Sequence, residues 1–372
     1  PAVIDPVAAL AEGAPQLHPE APGNLAYDWA HGDRAETERL FAGAAHVVRA
    51  RVLNQRVVVA AMEPRAIVVR HDAESGRWEG WIGCQGAHPM RNRLAASLGV
   101  EPERIRLHVP DVGGAFGMKL MAHPEYPLAA LAAQEIGRPV RWAGDRSESF
   151  LSDAQGRDMR ASVEGAFSEA GDLLAVRMDA ISGIGAQYSS VSVAVHTVFS
   201  APLLGGMYRP RAMHARVRGA FVNTPPADAY RGAGRPEVIH ATELLMDAAA
   251  REIGIDRAEI RRRNLVTPDM LPHPTPGGFT FDSLDTHAVL DRALAAADRD
   301  GFEARAQAAA RRGRIAGLGI AYYMERTGGG PVETTRIEVT PEGGARIAIG
   351  TQSTGQGHAT AWAQILHGSL GL

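Results

Sequence analysis

Short runs of alternating apolar and polar positions recur along this chain, and many of them stop at a proline or glycine. The clearest holds Ile105, Leu107 and Val109 two residues apart, the period of a half-buried strand. Pro110 cannot donate to a sheet ladder and ends it. Similar apolar runs predict strands near residues 47–48, 57–59, 66–70, 78–82, 140–143, 212–222, 314–323, 335–340 and 345–349. Residues 161–188 predict strands joined by a turn at Glu169-Ala170-Gly171-Asp172. Helical signals replace this pattern from Pro89 to Gly99, over 125–136 ahead of Gly137 and Pro139, and from Pro236 to Ile253 ahead of Gly254. Val238, Ile239, Leu244, Leu245 and Ile253 give the last of these a buried face. Further helices are predicted over 256–264, 287–311 and 359–367. The Arg-rich stretch 256–264 reads as a solvated face. Residues 1–24 hold five prolines and read as an extended linker or strap.

Four segments share one order: apolar strand, polar Gly-containing loop, helix. Their loops are residues 83–86, 110–119, 223–235 and 350–358. In mixed α/β folds such loops sit at one edge of a sheet and build the ligand site. No sequence repeat accompanies the order, so it does not describe a solenoid. In the second loop Gly113, Gly114 and Gly117 surround one aromatic, Phe116. Little side-chain bulk lets backbone N–H groups approach a ligand and point at negative charge. The spacing matches neither a P-loop nor Gly-x-Gly-x-x-Gly. On loop physics alone, a cofactor cradle and a plain tight turn both stay open.

A length of 372 residues gives room for two or three domains and sizeable cores. With 45% hydrophobic and 22% charged residues, a soluble globular protein is the default. A net charge of −3 argues against a nucleic-acid surface, and no apolar run approaches a membrane span. The chain begins at Pro1 with no basic and apolar leader, which reads as a processed or trimmed piece. Cys84 is the only cysteine, so intrachain disulfides, a four-Cys zinc site and an iron–sulfur cluster held by this chain alone are excluded. Lys119 is the only lysine among many arginines, and a general Arg bias accounts for that skew.

No His-Glu-x-x-His, Gly-x-Ser-x-Gly or Cys–His arrangement appears, and fourteen histidines lack metal-ligand spacing. The loops offer Gln85, Gln352, Gln356, Arg231 and backbone N–H groups instead. These suit a large polar cofactor that carries the chemistry while the protein positions it. Gln85 as a helix cap and Arg231 as a surface turn are the plainer alternatives. The loop from Gly350 to His358, with two amides and three glycines ahead of a helix, reads least well as mere connection.

Taken together, five motifs resemble the molybdenum-cofactor subunit of the xanthine dehydrogenase, aldehyde oxidase and carbon monoxide dehydrogenase family. They are Met62-Glu63-Pro64-Arg65, the Gln85 loop, Val109 through Lys119, Ala229-Tyr230-Arg231-Gly232-Ala233-Gly234-Arg235, and Gly350 through His358. They occur in the family's order and cover nearly the whole chain. The resemblance implies an α+β fold of mixed sheets with packed helices. It implies molybdopterin, as such or as the cytosine dinucleotide, holding molybdenum without any protein ligand. Phe116 and Gly117 would face the metal's oxo ligand through backbone N–H, within a loop that also gives Gly114 and Ala115. Gln85 and Gly86 would lie beside the metal, with Gln85 and Arg231 in catalytic positions. Ala229, Tyr230, Arg231 and Gly232 would line the metal site. Gln352, Thr354, Gly355, Gln356, Gly357 and His358 would hold the pterin.

Departures narrow the reading. Copper-type carbon monoxide dehydrogenases carry Cys where this chain has Gly232, which argues against carbon monoxide as substrate. Purine-oxidising members carry Glu where Leu120 stands, and an Arg where ungapped counting lands on Phe199. An aldehyde or N-heteroaromatic substrate is left. The family's catalytic Glu lies far downstream of the Gly-Gln-Gly loop, and nothing after His358 matches it. The chain therefore resembles the middle portion of a subunit about twice as long, as a fragment or as one half of a split subunit. The expected organisation is a linker over 1–24, a first molybdopterin-binding subdomain over 25–270, and the start of a second over 271–372. Iron–sulfur and FAD centres would lie on partner chains, in the cytoplasm or alternatively the periplasm. A non-catalytic cofactor-binding module and a nucleotide-binding α/β enzyme are the competing readings.

Overall fold

The computed structural model describes residues 2–326 and 333–371. Two mixed sheets, each packed against helices, make the α+β body. The larger sheet joins β1 (Leu25–Gly32), β2 (His46–Asn54), β7 (Met159–Phe167), β8 (Leu173–Gly185) and β9 (Ala212–Phe221) in the order β1-β9-β8-β7-β2. Only β8 and β9 run parallel in it. The smaller sheet joins β3 (Ala66–Asp72), β4 (Arg77–Ile82), β5 (Ile105–His108) and β6 (Val140–Ala143) in the order β5-β4-β3-β6.

Periodicity explains the packing. Long strands place Val163, Val176, Met178, Met213 and Val217 in a core completed by Val238, Leu245 and Met246. Those last three lie on one stripe of the helix Arg235–Ile253. Val238 and Leu245 are buried as the spacing predicts, whereas Leu244 faces solvent and Ile239 and Ile253 are half-buried, so the buried stripe is rotated toward Met246. Full burial of such a side chain contributes about 1.5–3 kcal/mol. Under the small sheet, Ile67, Val69, Trp78 and Ile82 meet Met90 and Leu94 of helix Ala87–Leu98 and Tyr126, Ala130 and Ala133 of helix Glu125–Ile136. Gly99 and Gly137 close these two helices in the left-handed conformation, at φ 67° and 61°.

Several expectations need correction. Residues 2–24 form a strap that is tied down rather than a linker, with a helical turn at Pro6–Ala9. The fully buried Asn24 amide donates to the carbonyls of Ala9 (2.9 Å) and Pro15 (3.0 Å) and accepts from Leu17 N–H (2.8 Å). Pro1 lies outside the described residues. Residues 57–59 make a single bridge, Val57 to Gly156, because the chain turns at Ala60 (φ 51°) and buries Val59 beside Met118. Residues 314–323 are not a strand. Their backbone groups are taken by side chains: Arg261 donates to Ile320 O (3.0 Å), and Tyr322 N–H donates to Glu243 (2.8 Å). The helix Arg257–Asn264 is not a wholly solvated face either. Arg261 is fully buried, and pairs with Glu243 (2.8 Å) and Asp247 (2.9 Å) from the preceding helix. The stretch 287–311 splits into helices Thr286–Ala296 and Phe302–Ala310.

Toward the C-terminal end, Thr335–Val339 and Ala345–Ile349 pair as an antiparallel hairpin ahead of helix His358–Leu370. The loop between hairpin and helix returns to the small sheet: Gln352 Oε1 accepts from Gly86 N–H (2.9 Å), and its amide donates to Cys84 O. Loops separated by hundreds of residues are thereby brought to one place.

Candidate functional site

The loops that follow β4, β5, β9 and the C-terminal hairpin converge on a cleft of about 990 Å³. Its lining includes Gln85, Gly114, Phe116, Gly117, Ala229, Tyr230, Arg231, Gly232, Thr354, Gly355 and Gln356, all singled out in the sequence. Ala115, Gly86, Gln352, Gly357 and His358 do not line it. Ala115 packs into the core beneath the loop. Gly86 and Gln352 are spent on each other. The His358 ring lies 5.6 Å from that of Trp362 within its own helix.

The Gly loop is fixed from several sides. Gln85 Oε1 accepts from Gly117 N–H (2.8 Å), and Gln85 N–H donates to Lys119 O (3.0 Å). The expectation that Gly117 N–H faces a ligand is thus corrected: it orients Gln85, leaving the amide NH₂ as the donor at that point. Arg231 N–H donates to Phe116 O (3.0 Å), tying the two central loops together. Gly117 lies at φ 101°, and a Cβ there would stand 2.2 Å from Ala229 O, so only glycine permits this approach. Between these ties, the N–H groups of Gly114, Ala115 and Phe116 have no partner among the described residues. Gly114 and Ala115 are buried. Buried backbone donors are almost always paired, so this run suits acceptor oxygens from a bound group.

Sequence reasoning missed the supports beneath the loop. Glu63 Oε2 accepts from Gly113 N–H (2.9 Å) and from Lys119 Nζ (2.6 Å), while Glu63 N–H donates to Gly113 O (3.0 Å). Lys119 is fully buried, so the one lysine, discounted above, is a strut under the loop. Its position inside the Gly motif was the available signal. Breaking this pair is expected to be asymmetric. Glu63→Ala strands a buried ammonium and should cost about 3–5 kcal/mol. Lys119→Met leaves a carboxylate that is 38% exposed, and should cost only about 1.5–3 kcal/mol. Urea unfolding of both variants checks the order; equal or reversed losses contradict it.

Behind the third loop, buried Asp228 accepts from Val191 N–H (3.1 Å) and Ala229 N–H, and burial raises its carboxyl pKa. Cys84 is no nucleophile: burial pushes its thiol up to about 12, against the opposing charge of Lys119. Among the described residues no group of three His, Cys, Asp or Glu side chains could hold a metal ion.

Two histidines flank the site. Burial lowers both His123 and His196 from 6.5 to about 4. His123 donates to Met118 O (3.2 Å), and His196 to Arg157 O (2.8 Å). Each stays neutral in the folded chain while the unfolded chain protonates near 6.5. Their contribution is therefore complete above pH 6.5 and drains away as pH falls toward 4, about 3 kcal/mol for each. Melting temperature against pH should drop through this window, and less steeply in His123→Gln. A flat profile from pH 7 to 4 contradicts the assignment.

With this geometry, the chain belongs to the molybdopterin cofactor-binding family of the molybdenum hydroxylases. The family described as molybdopterin cofactor-binding domain matches residues 17–265, and a second domain of that description matches 292–372. The chain is 32% identical over 405 residues to the carbon monoxide dehydrogenase large chain of Hydrogenophaga pseudoflava, covering 100% of this chain and 50% of that one. It is 34% identical over 373 residues to the 6-hydroxypseudooxynicotine dehydrogenase complex subunit gamma of Paenarthrobacter nicotinovorans, covering 98% and 46%. The crystal structure of quinoline 2-oxidoreductase from Pseudomonas putida 86 superposes with a TM-score of 0.87 at 28% identity, covering 99% of this chain and 48% of that one. The chain spans about half the length of the curated relatives it matches. Among the described residues no helix is long and apolar enough to cross a membrane.

Proposed function

We propose that the cleft holds molybdopterin and its molybdenum. In the complete enzyme this chain then serves oxidation of an aldehyde or an N-heteroaromatic ring with water-derived oxygen. The observation that carries this reading is the run of unpaired N–H groups at Gly114, Ala115 and Phe116, where remote loops meet. The donor set fits an oxygen-rich anionic cofactor: backbone N–H, the Gln85 amide, and the loop Thr354–Gly355–Gln356 ahead of a helix N-terminus. Bound there, the molybdenum centre would supply two-electron oxidation, with iron–sulfur and FAD centres on partner chains as the acceptors. The cytosine dinucleotide form and a second polypeptide completing the subunit belong to the same reading, as does a cytoplasmic location.

The chain's own residues bind, orient and exclude water. Gln85 is locked by Gly117 N–H so that its NH₂ is fixed before any ligand arrives, which is electrostatic preorganisation. Leu120, Val191 and Phe199 give the cleft an apolar wall, which suits a flat substrate of low polarity better than a purine. Gly232 lies at φ 93°, with a Cβ 2.5 Å from Pro236 Cγ, so the loop as folded resists the Cys that copper chemistry would need there. The Arg231 guanidinium lies 6.0 Å from the Phe116 ring centre at the mouth, where it can steer an electron-rich ring.

Elemental and pterin analysis of the native preparation, with dye-linked oxidation of benzaldehyde and quinoline, tests the proposal. Molybdenum and pterin in equal amounts with turnover support it. Bound nucleotide without molybdenum favours a nucleotide-binding enzyme. Molybdenum without turnover of either substrate leaves only a cofactor-binding module.

A further inference from the structure

Arg157 supplies no lining atom to the cleft, yet its guanidinium reaches the loop that does. Nη1 donates to Tyr230 O (3.1 Å) and Nη2 to Arg231 O (2.8 Å). The same group pairs with Glu237 (3.3 Å), whose side chain is fully buried, and lies 4.8 Å from the Tyr230 ring centre. The backbone beneath is unusual. Arg157 and Asp158 are successive non-glycine residues at φ 65° and 64°. Such conformations persist only where the surroundings impose them. Here Arg56 grips the Asp158 carboxylate (2.7 Å), Gly183 N–H donates to Asp158 O (2.9 Å), and His196 donates to Arg157 O (2.8 Å).

We propose that Arg157 is a positioning residue that sets two peptides of the third loop, turning Arg231 N–H to Phe116 O and Gly232 N–H toward the cleft. A peptide unit is planar and trans, so its N–H points opposite to its C=O. Holding Tyr230 O outward, a carbonyl that also accepts from Ala233 N–H (2.7 Å), turns Arg231 N–H toward Phe116 O, the bond that joins the two central loops. Holding Arg231 O outward turns Gly232 N–H toward the cleft, where it has no partner among the described residues. One planar fork holds the Arg231 carbonyl and reinforces the Tyr230 carbonyl at once, which a lysine's single ammonium cannot do with the same geometry. The idea rests on the molybdopterin reading of the cleft.

The test uses the complete holoenzyme with Arg157→Lys, which keeps the charge beside Glu237. A second variant, Arg157→Met with Glu237→Gln, removes the charge without stranding its partner. In Arg157→Lys, amide exchange at Arg231, whose N–H is bonded to Phe116 O, should quicken by about tenfold or more. Turnover per bound molybdenum should fall about 10–100-fold, with KM changed less than about threefold. The molybdenum midpoint potential should fall, because fewer donors face the group as it gains negative charge. The double variant should show larger changes in the same sense. Wild-type exchange rates with wild-type turnover per molybdenum overturn the proposal. So does activity lost only in proportion to lost molybdenum, which marks Arg157 as merely structural. A wild-type enzyme without molybdenum sinks the functional reading instead, and the exchange rates alone then decide whether Arg157 orients the loop.

Discussion

Gly117→Ala is expected to lose at least about nine-tenths of bound molybdenum, while Phe116→Ala keeps more than about half. The contrast follows from where each residue acts. At Gly117 the backbone is at φ 101°, and an added Cβ would sit 2.2 Å from Ala229 O and 2.7 Å from its carbonyl carbon. Backbone-on-backbone overlap has no rotamer to relieve it. One of the two loops must withdraw, and the bond from Arg231 N–H to Phe116 O goes with it. The strained conformation alone costs about 1–3 kcal/mol. Phe116, by contrast, is 41% exposed and contributes through its backbone, so removing its ring leaves the N–H run in place. Gly114→Ala should fall between the two, since its Cβ would meet only the exposed and movable Phe116 ring at 2.7 Å, while its φ of 95° keeps the backbone strained. Metal content of purified variants, each checked for an intact melting transition, decides the matter. Equal loss in all three contradicts a backbone cradle.

Arg65→Met is expected to cost about 3–5 kcal/mol of stability, away from the cleft. Arg65 is 1% exposed. It joins Glu125 (2.6 Å) on one helix to Asp153 at the end of another, lies 5.0 Å from the Trp142 ring centre, and its carbonyl accepts from Gly144 N–H (2.9 Å). Methionine fills similar space but leaves Asp153, itself 2% exposed, as an unpaired buried carboxylate. Denaturant unfolding should show the loss, and Asp153→Asn added to Arg65→Met should recover part of it. A loss below about 1 kcal/mol would mean that water reaches the pair.

Much of this was legible from local pattern. Helix 125–136 and strands 140–143 and 345–349 lie where alternation and glycine punctuation put them. The loops that line the cleft were visible because glycines and amides cluster there. The supports under those loops were not, because each is a pairing between distant residues. Glu63 and Lys119 are 56 positions apart, and Arg157 and Tyr230 are 73 apart. Arg157 sits in a polar stretch without periodicity, and its role depends on a left-handed backbone that no residue-type preference announces. Residues 314–323 failed in the opposite direction. Their apolar run looks like a strand, but Arg261 and Glu243 claim its backbone groups.

Anomalous scattering at the molybdenum edge, from crystals of the native protein, tests the central claim most directly. One peak is expected inside the cleft, bounded by the Gln85 amide, the N–H run ending at Phe116, and Gly232. A peak elsewhere on the chain, or an empty cleft in protein that carries its full complement of molybdenum, would contradict it.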